Sequence, residues 1–384
     1  MRTTPNPIKT TFLVLTAISF TAALALVASL GLLLGVAPPA AAVNPNAENL
    51  YSVHKLVSDV PIPGESPAPL IDSDLVNGWG ISHGATSPWW VSDNGTSKST
   101  IYTISVVNGI YMATKNNSLV VTVPGPPTGQ VRNDSTDFKV DAGTGLLASR
   151  FIFATDDGQI AGWNGFGNAA ISAVTTPDAV YLGLAIGSSG GNNYLYAANF
   201  AAARIDVFNA TFGDGSGDLA GNFTDPGIPA GYAPFGIQNI GGEIFIAYAK
   251  QNPAEPDEEL HCAGCGYVSV FGTDGTFHDR VASQGELNAP WGLAMAPANF
   301  GRFSGDLLVG NFGDGRIHGF HKSEDGSWEK HGVMKGTDRT PIVIDGLWGI
   351  GFGNGANAGP TNTLFFAAGP DDETHGLFGS ITAP

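Results

Sequence analysis

A short phrase of one aromatic residue, one glycine and one aliphatic residue recurs along this chain of 384 residues. The copies begin at Trp79, Leu182 (a weaker copy, without the aromatic residue), Phe235, Trp291 and Trp348. Five steps of about 54 residues connect the first copy to the last, which predicts an unseen copy near Asp137-Phe138. A repeat of this length is one structural unit that needs neighbours to bury its faces. The chain is therefore predicted to contain six such units.

Each copy is followed by an apolar run that ends in a small or acidic turn, as in Trp90 to Gly95 and Leu307 to Phe312. A further run of the same kind follows in most units. Asp-Gly and Asn-Gly pairs between the runs are typical of hairpin turns, because these residues tolerate a positive φ. The composition agrees, since 53 glycines and only 13% charged residues are typical of short strands joined by tight turns. Each unit is predicted to be a small antiparallel sheet.

Six such sheets predict an all-β fold, a six-bladed β-propeller formed by residues 43–384 as a single domain. Radial closure protects the edges of the sheets, which an open stack would expose at both ends. The last unit runs out of chain after Ile381. We therefore expect Tyr51 to Ser58 to supply its outer strand and to close the ring. A β-sandwich or two barrels would not produce a sixfold phrase.

Residues 1–42 have the pattern of a signal peptide. Arg2 and Lys9 precede an apolar run from Phe12 to Ala37, and small residues follow up to Ala42. Cleavage after Ala42 would give an exported protein, located in the periplasm, outside the cell or at the cell surface. The run is also long enough to span a bilayer, so an uncleaved membrane anchor is the alternative. No membrane insertion of the mature domain is expected.

The chain is strongly acidic, with 34 Asp and Glu residues against 17 Lys and Arg residues and a formal net charge of −17. This charge repels nucleic-acid phosphates, so a nucleic-acid partner is not expected. A small molecule, a glycan or a protein remains as the partner.

Several segments together resemble a family of conserved hypothetical exported bacterial proteins, which is itself uncharacterised. They are Asn77 to Ile81, Trp90 to Gly95, Pro290 to Ala294, Gly305 to Gly315 and Ile344 to Gly349. The resemblance implies an NHL-like six-bladed propeller and no established activity, so no catalytic residue can be carried over. The segment from Glu255 to Cys265 departs from the family's pattern and is expected to be a local feature of one blade.

Asp and Asn residues cluster in the loops that enter the first strand or follow the second strand of each unit. In a propeller these loops surround one end of the central channel, where ligands usually bind. The candidates are Asn77, Asp93, Asn94, Asp156, Asp157, Asn199, Asn311, Asp314, Asp345, Asp371 and Asp372. Their oxygens could hold a divalent cation such as Ca²⁺. Alternatively, they only shape hairpin turns.

Two further groups have alternative interpretations. The aromatic residues of the phrase either line a binding mouth or pack between blades. Cys262 and Cys265 are the only cysteines, and in an exported protein this spacing favours a disulfide. Free thiols that exchange electrons, or a metal site that includes His261, are the alternatives.

Two functions are compatible with these features. The first is a platform that binds a ligand or a protein at the channel face, in keeping with the lack of a convincing acid, base and nucleophile set. The second is a divalent-metal-dependent hydrolase of the gluconolactonase or lactonase type, in which a metal ion in the channel polarises a carbonyl group.

Overall fold

The computed structural model describes residues 48–66 and 69–384, which form β-strands with very little helix. Three single 3₁₀ turns are the helical elements of this part, at Asn94–Thr96, Ser216–Asp218 and Gly301–Phe303. Within the described residues, no helix is both long enough and apolar enough to cross a membrane. The expected signal peptide or anchor at residues 1–42 lies outside them.

The strands form six antiparallel sheets, which we call blades 1 to 6, and the strands of each blade run in order from the innermost to the outermost. Blade 1 consists of Gly78–Ser82, Trp89–Asp93, Lys98–Val107 and Ile110–Lys115, with Val121–Thr122 beside the third strand. Blade 2 consists of Pro127–Arg132, Phe151–Thr155, Gln159–Trp163 and Ile171–Thr175. A separate hairpin, Lys139–Asp141 with Leu146–Ala148, follows its first strand. Blade 3 has three strands, Tyr181–Ser189, Asn192–Asn199 and Arg204–Asn209.

Blade 4 consists of Tyr232–Ile240, Glu243–Asn252, Gly266–Gly272 and Phe277–Ser283, with Glu255–Glu259 paired to the end of the second strand. Blade 5 consists of Pro290–Met295, Leu307–Asn311, Ile317–Lys322 and Trp328–Val333. Blade 6 consists of Leu347–Phe352, Thr363–Ala368, Leu377–Thr382 and Ser52–Ser58, with Leu70–Ile71 at its edge. The innermost strands contact each other in chain order and the last contacts the first, so the fold is a closed six-bladed β-propeller.

The glycine of the repeated phrase allows the innermost strands to approach closely. A Cβ atom added at Gly349 would lie 2.6 Å from the carbonyl oxygen of Trp79, across the contact between blades 6 and 1. At Gly80 it would lie 2.5 Å from the carbonyl oxygen of Thr128, in blade 2. Only glycine has no side chain to obstruct this approach. The phrase is thus the sequence signature of the blade-to-blade contact.

The sixth copy of the phrase is Thr128-Gly129-Gln130, so the prediction near Asp137-Phe138 was wrong. A Cβ atom added at Gly129 would collide with the backbone of Gly183 and Leu184. Cβ atoms added at the other glycines of the phrase would likewise meet the next blade. An even spacing of about 54 residues places this copy too far along the chain, because the distance from Gly80 to Gly129 is shorter than the average repeat. Thr128 and Gln130 also lack the aromatic and aliphatic character that identifies the other copies.

The N-terminal strand closes blade 6, which confirms the prediction. Ser52–Ser58 runs antiparallel to Leu377–Thr382, with Val53 opposite Ile381. The preceding Tyr51 is buried against Phe300 and Phe303. Its hydroxyl donates a hydrogen bond to the carbonyl oxygen of Phe300 (2.9 Å) and accepts one from the backbone N–H of Phe303 (3.2 Å). The first and last parts of the described chain are therefore held in one sheet.

Candidate functional site

Five aromatic side chains pack against one another where the innermost strands begin. We call these five side chains the aromatic plug, and Phe200 packs beside them on Phe235. The plug consists of Trp79, Phe235, Trp291, Phe312 and Trp348. The ring of Trp348 stacks on Trp79 at a centroid distance of 3.7 Å and on Phe312 at 3.8 Å. The ring of Trp291 meets Trp348 edge-on at 5.8 Å. Because the plug gathers side chains from blades 1, 4, 5 and 6, it fills the middle of the channel.

The plug is incomplete on one side, and a cavity of about 320 Å³ lies there. Blades 2 and 3 carry Thr128 and Leu182 where the other blades carry Trp or Phe. These smaller side chains leave space beside Trp79 and Trp348, which line the cavity. We call this cavity the acidic chamber, because five carboxylate side chains line it. They are Asp156, Asp257, Glu258, Glu259 and Glu373.

The pKa of Glu373 is raised to about 7, chiefly because the carboxyl group is buried. The negative charges of Glu259 and Glu258 raise it further. In the opposite direction, the side-chain amide of Asn77 donates a hydrogen bond of 2.5 Å to the Glu373 carboxylate. Glu373 is therefore poised between its charged and neutral forms near neutral pH.

Two more carboxyl groups of the acidic chamber have raised pKa values. Burial is the main cause for Asp156, and the amide of Asn94 opposes it with a hydrogen bond of 2.9 Å. For Glu258, burial is again the main cause, followed by the charge of Glu259. The charge of Asp156 also raises the pKa of Glu258, as the charges of Glu258 and Glu259 raise that of Glu373, so the potential in the chamber is negative.

His261 is the basic side chain whose charge lowers the pKa of Glu373. Its Nε2 atom lies 2.9 Å from the Glu259 carboxylate, and this hydrogen bond raises the pKa of the imidazole. The ring also meets Phe312 of the plug edge-on, at a centroid distance of 5.1 Å. His261 is therefore already engaged by one carboxylate and balances only part of the acidic charge.

The segment from Glu255 to Cys265, which we call the arm, carries three of these acidic residues and His261. Its first part pairs with the end of the second strand of blade 4, and a disulfide joins Cys262 to Cys265 at its other end. The expectation of a feature local to one blade was wrong, because Glu258 and Glu259 share the chamber with residues of blades 1, 2 and 6. The arm has no counterpart in the repeat, so the repeat does not reveal where it lies.

Glu373 is held by an unusual turn of three consecutive residues in the left-handed region. The φ angles of Asp371, Asp372 and Glu373 are 55°, 51° and 63°. L-residues with side chains adopt this region at a cost, and such conformations concentrate at functional sites. The turn is closed by a hydrogen bond of 3.2 Å from the Glu373 N–H to the carbonyl oxygen of Gly369.

The structure brings six of the eleven predicted Asp and Asn residues together at this end of the channel. Asn94 and Asp156 line the acidic chamber, and Asn77 contacts its Glu373. An adjoining cleft of about 300 Å³, which Glu373 also lines, contains the other three. They are Asp314, Asp345 and Asp372.

The other five have roles within turns, strands or loops. Asp93 is fully buried and accepts a hydrogen bond from the Thr100 hydroxyl, and burial raises its pKa. Asp157 accepts from Thr155, and Asn199 donates to Asp206. Asn311 donates to the carbonyl oxygen of Glu286, and the backbone N–H of Asp371 donates to Asp345.

Sequence reasoning missed Glu373, and it considered Glu258 and Glu259 only as neighbours of His261 in a local metal site, not as residues of the channel. Turn propensity draws attention to Asp and Asn but not to Glu. The available signal was the interruption of the phrase at Leu182 and its absence from the second repeat, which mark the open side of the plug. Among the described residues, no group of three His, Cys, Asp or Glu side chains is arranged to hold a metal ion.

No protein-family model matches this chain. Two proteins of Acanthamoeba polyphaga mimivirus are similar to it. The uncharacterised protein R648 is 32% identical, over 81% of this chain and 76% of the viral protein. The uncharacterised protein L690 is 33% identical, over 81% of each chain. The relatives found are viral, so the expected bacterial origin of the family is not supported.

Two solved structures are similar at the level of fold. Streptogramin B lyase gives a TM-score of 0.47 at 11% identity, covering 87% of this chain and 98% of the lyase. The PQQ-bound aldose sugar dehydrogenase of Streptomyces coelicolor gives 0.46 at 13% identity, covering 88% and 99%. At these values, neither likeness bears on activity.

Proposed function

Because the chain belongs to the family of the mimivirus proteins R648 and L690, which are uncharacterised, we propose its function from the acidic chamber alone. The protein is a binding platform, and its chamber takes a small organic cation. The observation that carries this proposal is the convergence of carboxylates from blades 2, 4 and 6 on one cavity with an indole wall.

The charge of the chamber selects the sign of the ligand. Asp156, Glu258 and Glu373 are each partly or largely buried, and a neighbouring carboxylate raises the pKa of each of them. A positive group between them would lower this electrostatic cost, whereas an anion would increase it. A cation is therefore the ligand that the electrostatics favour.

The aromatic wall favours an organic cation over a bare metal ion. The indoles of Trp79 and Trp348 line the chamber. Trp79 and Phe312 stack on the two faces of Trp348, so the face of Trp79 turned away from Trp348 is the one against which an ammonium group can bind. The indole N–H of Trp79 is buried and has no hydrogen-bond partner among the described residues. A ligand oxygen would satisfy this donor. The chamber thus suits an amine or quaternary ammonium compound that also carries an oxygen.

The alternative is a divalent-metal-dependent hydrolase of the lactonase type. It requires at least three oxygen ligands around one ion, with a further carboxylate free to move a proton. Over residues 48–66 and 69–384, no three acidic or histidine side chains have the required arrangement. The carboxylates instead line a cavity large enough for an organic molecule, which favours binding.

Isothermal titration calorimetry with choline tests the proposal, with its neutral carbon analogue 3,3-dimethylbutan-1-ol as the matched probe. We expect choline to bind at least tenfold more tightly, because only choline carries the charge. Equal binding of the two probes, or no binding of choline, would refute the proposal. Calcium chloride is titrated separately, and tight calcium binding that abolishes choline binding would favour the hydrolase.

Charge-removing variants locate the binding. Glu373→Gln and Asp156→Asn should each weaken choline binding several-fold, since each removes a negative charge from the chamber. Glu324→Gln is the control, because Glu324 is exposed in the outer hairpin of blade 5. If all three variants weaken binding equally, choline responds to the overall charge of the protein and not to the chamber.

A further inference from the structure

The opposite end of the channel contains a second cavity, of about 530 Å³, which we call the apolar chamber. It lies where the innermost strands end, on the other side of the aromatic plug. Much of its lining is aliphatic or aromatic, and includes Ile81, Ile186, Ile240, Leu293, Met295 and Phe352. Polar side chains, among them Gln130, Gln238 and Asn239, line the rest of it, and a cavity of this size that combines apolar and polar groups is typical of sites for small molecules.

One polar residue breaks the symmetry of this chamber. The third position of the repeated phrase is aliphatic in five blades and is Gln130 in blade 2. The Gln130 side-chain nitrogen donates hydrogen bonds to the carbonyl oxygens of Gly80 (2.7 Å) and Trp90 (3.0 Å). Because both partners can only accept, the amide cannot be turned round, and its oxygen must face away from them.

The Gln130 oxygen has no hydrogen-bond partner among the described residues, although the residue is only 5% exposed. Ser82 lines the same chamber, and its hydroxyl is also buried and has no hydrogen-bond partner among the described residues. Buried polar atoms in native proteins are nearly always hydrogen-bonded, and each unpaired one is costly. Both atoms belong to the side of the chamber formed by blades 1 and 2.

The charge of the apolar chamber differs from that of the acidic chamber. Its charged lining residues are Arg132 and Asp134, and they pair with each other through a contact of 2.8 Å between Nε and Oδ1. The polar side of the chamber therefore has little net charge. It offers an acceptor at Gln130 and a hydroxyl at Ser82, across the channel from the apolar side chains of Ile240 and Met295.

From this arrangement we infer that the apolar chamber is a second binding site, for an uncharged and mainly apolar molecule that carries a hydrogen-bond donor. The donor binds the Gln130 oxygen, and the apolar body of the ligand fills the rest of the cavity. The aromatic plug separates the two chambers, so the two sites can be occupied independently.

The test uses 2-naphthol and 2-methoxynaphthalene, which have similar apolar bodies and differ in the hydrogen-bond donor. Binding is followed by NMR of protein labelled with ¹³C in the methionine methyl groups. Met295 lines the chamber, whereas Met112 is on the outer strand of blade 1 and Met334 is buried in blade 5. We expect 2-naphthol to shift the Met295 signal alone and to bind about tenfold more tightly than the ether. Equal affinities, or no shift at Met295, would overturn the inference.

Gln130→Leu installs the residue type found at this position in the other blades. It should remove the preference for 2-naphthol, so that the two probes bind within about twofold of each other. Glu373→Gln is the control in the acidic chamber and should leave the affinity for 2-naphthol unchanged. A preference that persists in Gln130→Leu would disprove the role of Gln130.

If Gln130→Leu does not fold, Ile240→Trp provides the second test. Ile240 ends its strand, is partly exposed and lines the chamber from blade 4. The larger side chain should fill the cavity and weaken the binding of both probes at least tenfold. Unchanged binding in a folded Ile240→Trp protein would contradict the site.

Discussion

Glu373 owes its raised pKa to burial and to acidic side chains that lie more than a hundred residues away in the chain. Asn94 and Asp156 could be anticipated, because Asp and Asn in loops around a propeller channel are frequent ligand contacts and frequent turn residues. Glu373 follows two such residues, Asp371 and Asp372, but glutamate is not a preferred turn residue. Its importance comes from burial and from the charges of Glu258 and Glu259, which belong to a distant part of the chain. No local pattern contains that information.

The raised pKa of Glu373 predicts a pH-dependent effect of Glu373→Gln on stability. Unfolded, this carboxyl group has its usual pKa of 4.5, whereas in the folded protein the pKa is about 7. Between these values the folded protein keeps a proton that the unfolded chain loses, so the free energy of unfolding falls as the pH rises from about 4.5 to 7. The full electrostatic cost remains above pH 7.

Glu373→Gln removes this cost and should stabilise the protein at pH 8 by about 1–2 kcal/mol, after allowance for screening by solvent. At pH 4 the difference should be close to zero. Urea denaturation at the two pH values measures it, with Glu324→Gln as the control. An equal effect of Glu373→Gln at both pH values would show that the carboxyl group does not titrate as described.

The left-handed turn and the arm are the two elements that distinguish this site from a regular blade. The arm supplies three acidic residues to the chamber and the turn supplies Glu373, and neither element can be derived from the repeat. The strands could be predicted because their apolar runs and turn residues recur. The turn of Asp371 to Glu373 could not, since Asp and Glu are not residues that ordinarily form several left-handed positions in succession. The position of the arm could not be predicted either, because blade 4 and blade 6 face the same channel only in the closed ring.

The left-handed turn predicts different effects for two substitutions of Asp372. Asp372 is exposed and has a φ angle of 51°. Asparagine tolerates this conformation, whereas a β-branched residue does not. Asp372→Val should therefore cost about 1–2 kcal/mol of stability, and Asp372→Asn should cost almost nothing. Because the turn also orients Glu373, we expect Asp372→Val to weaken choline binding as well.

Urea denaturation and calorimetric titration measure these two quantities on the same samples. Asp372→Asn removes the same charge as Asp372→Val, so any difference between the variants comes from the backbone. If both variants lose the same stability and the same affinity, the backbone conformation does not position Glu373.

At the scale of the whole molecule, the number of blades was predictable because one physical constraint is repeated six times. Each innermost strand needs a glycine where it touches the next, and five of these glycines carry at least one recognisable neighbour in sequence. The sixth, Gly129, is flanked by Thr128 and Gln130, so it was placed incorrectly. Thr128, together with Leu182 of blade 3, leaves space for the acidic chamber, and Gln130 provides the polar group of the apolar chamber. The channel is therefore asymmetric at blade 2, where the repeated phrase departs from its pattern.

The glycine contacts predict how strongly ring closure contributes to stability. Gly349→Ala would place a Cβ atom 2.6 Å from the carbonyl oxygen of Trp79, between the last blade and the first. Backbone atoms cannot yield as a flexible side chain would, so blades 6 and 1 must move apart. We expect a loss of about 2–4 kcal/mol in the free energy of unfolding. Gly217→Ala is the matched control, because its added Cβ atom has no heavy atom within 4 Å.

Thermal and urea denaturation of both variants measure this effect. Closure also holds Trp79 against Trp348, which form the wall of the acidic chamber. Gly349→Ala should therefore weaken choline binding under conditions in which the protein is still folded, whereas Gly217→Ala should not. If Gly349→Ala were as stable as Gly217→Ala, the contact between blades 6 and 1 would be loose enough to admit a side chain. The ring would then not depend on the glycine that defines its repeat.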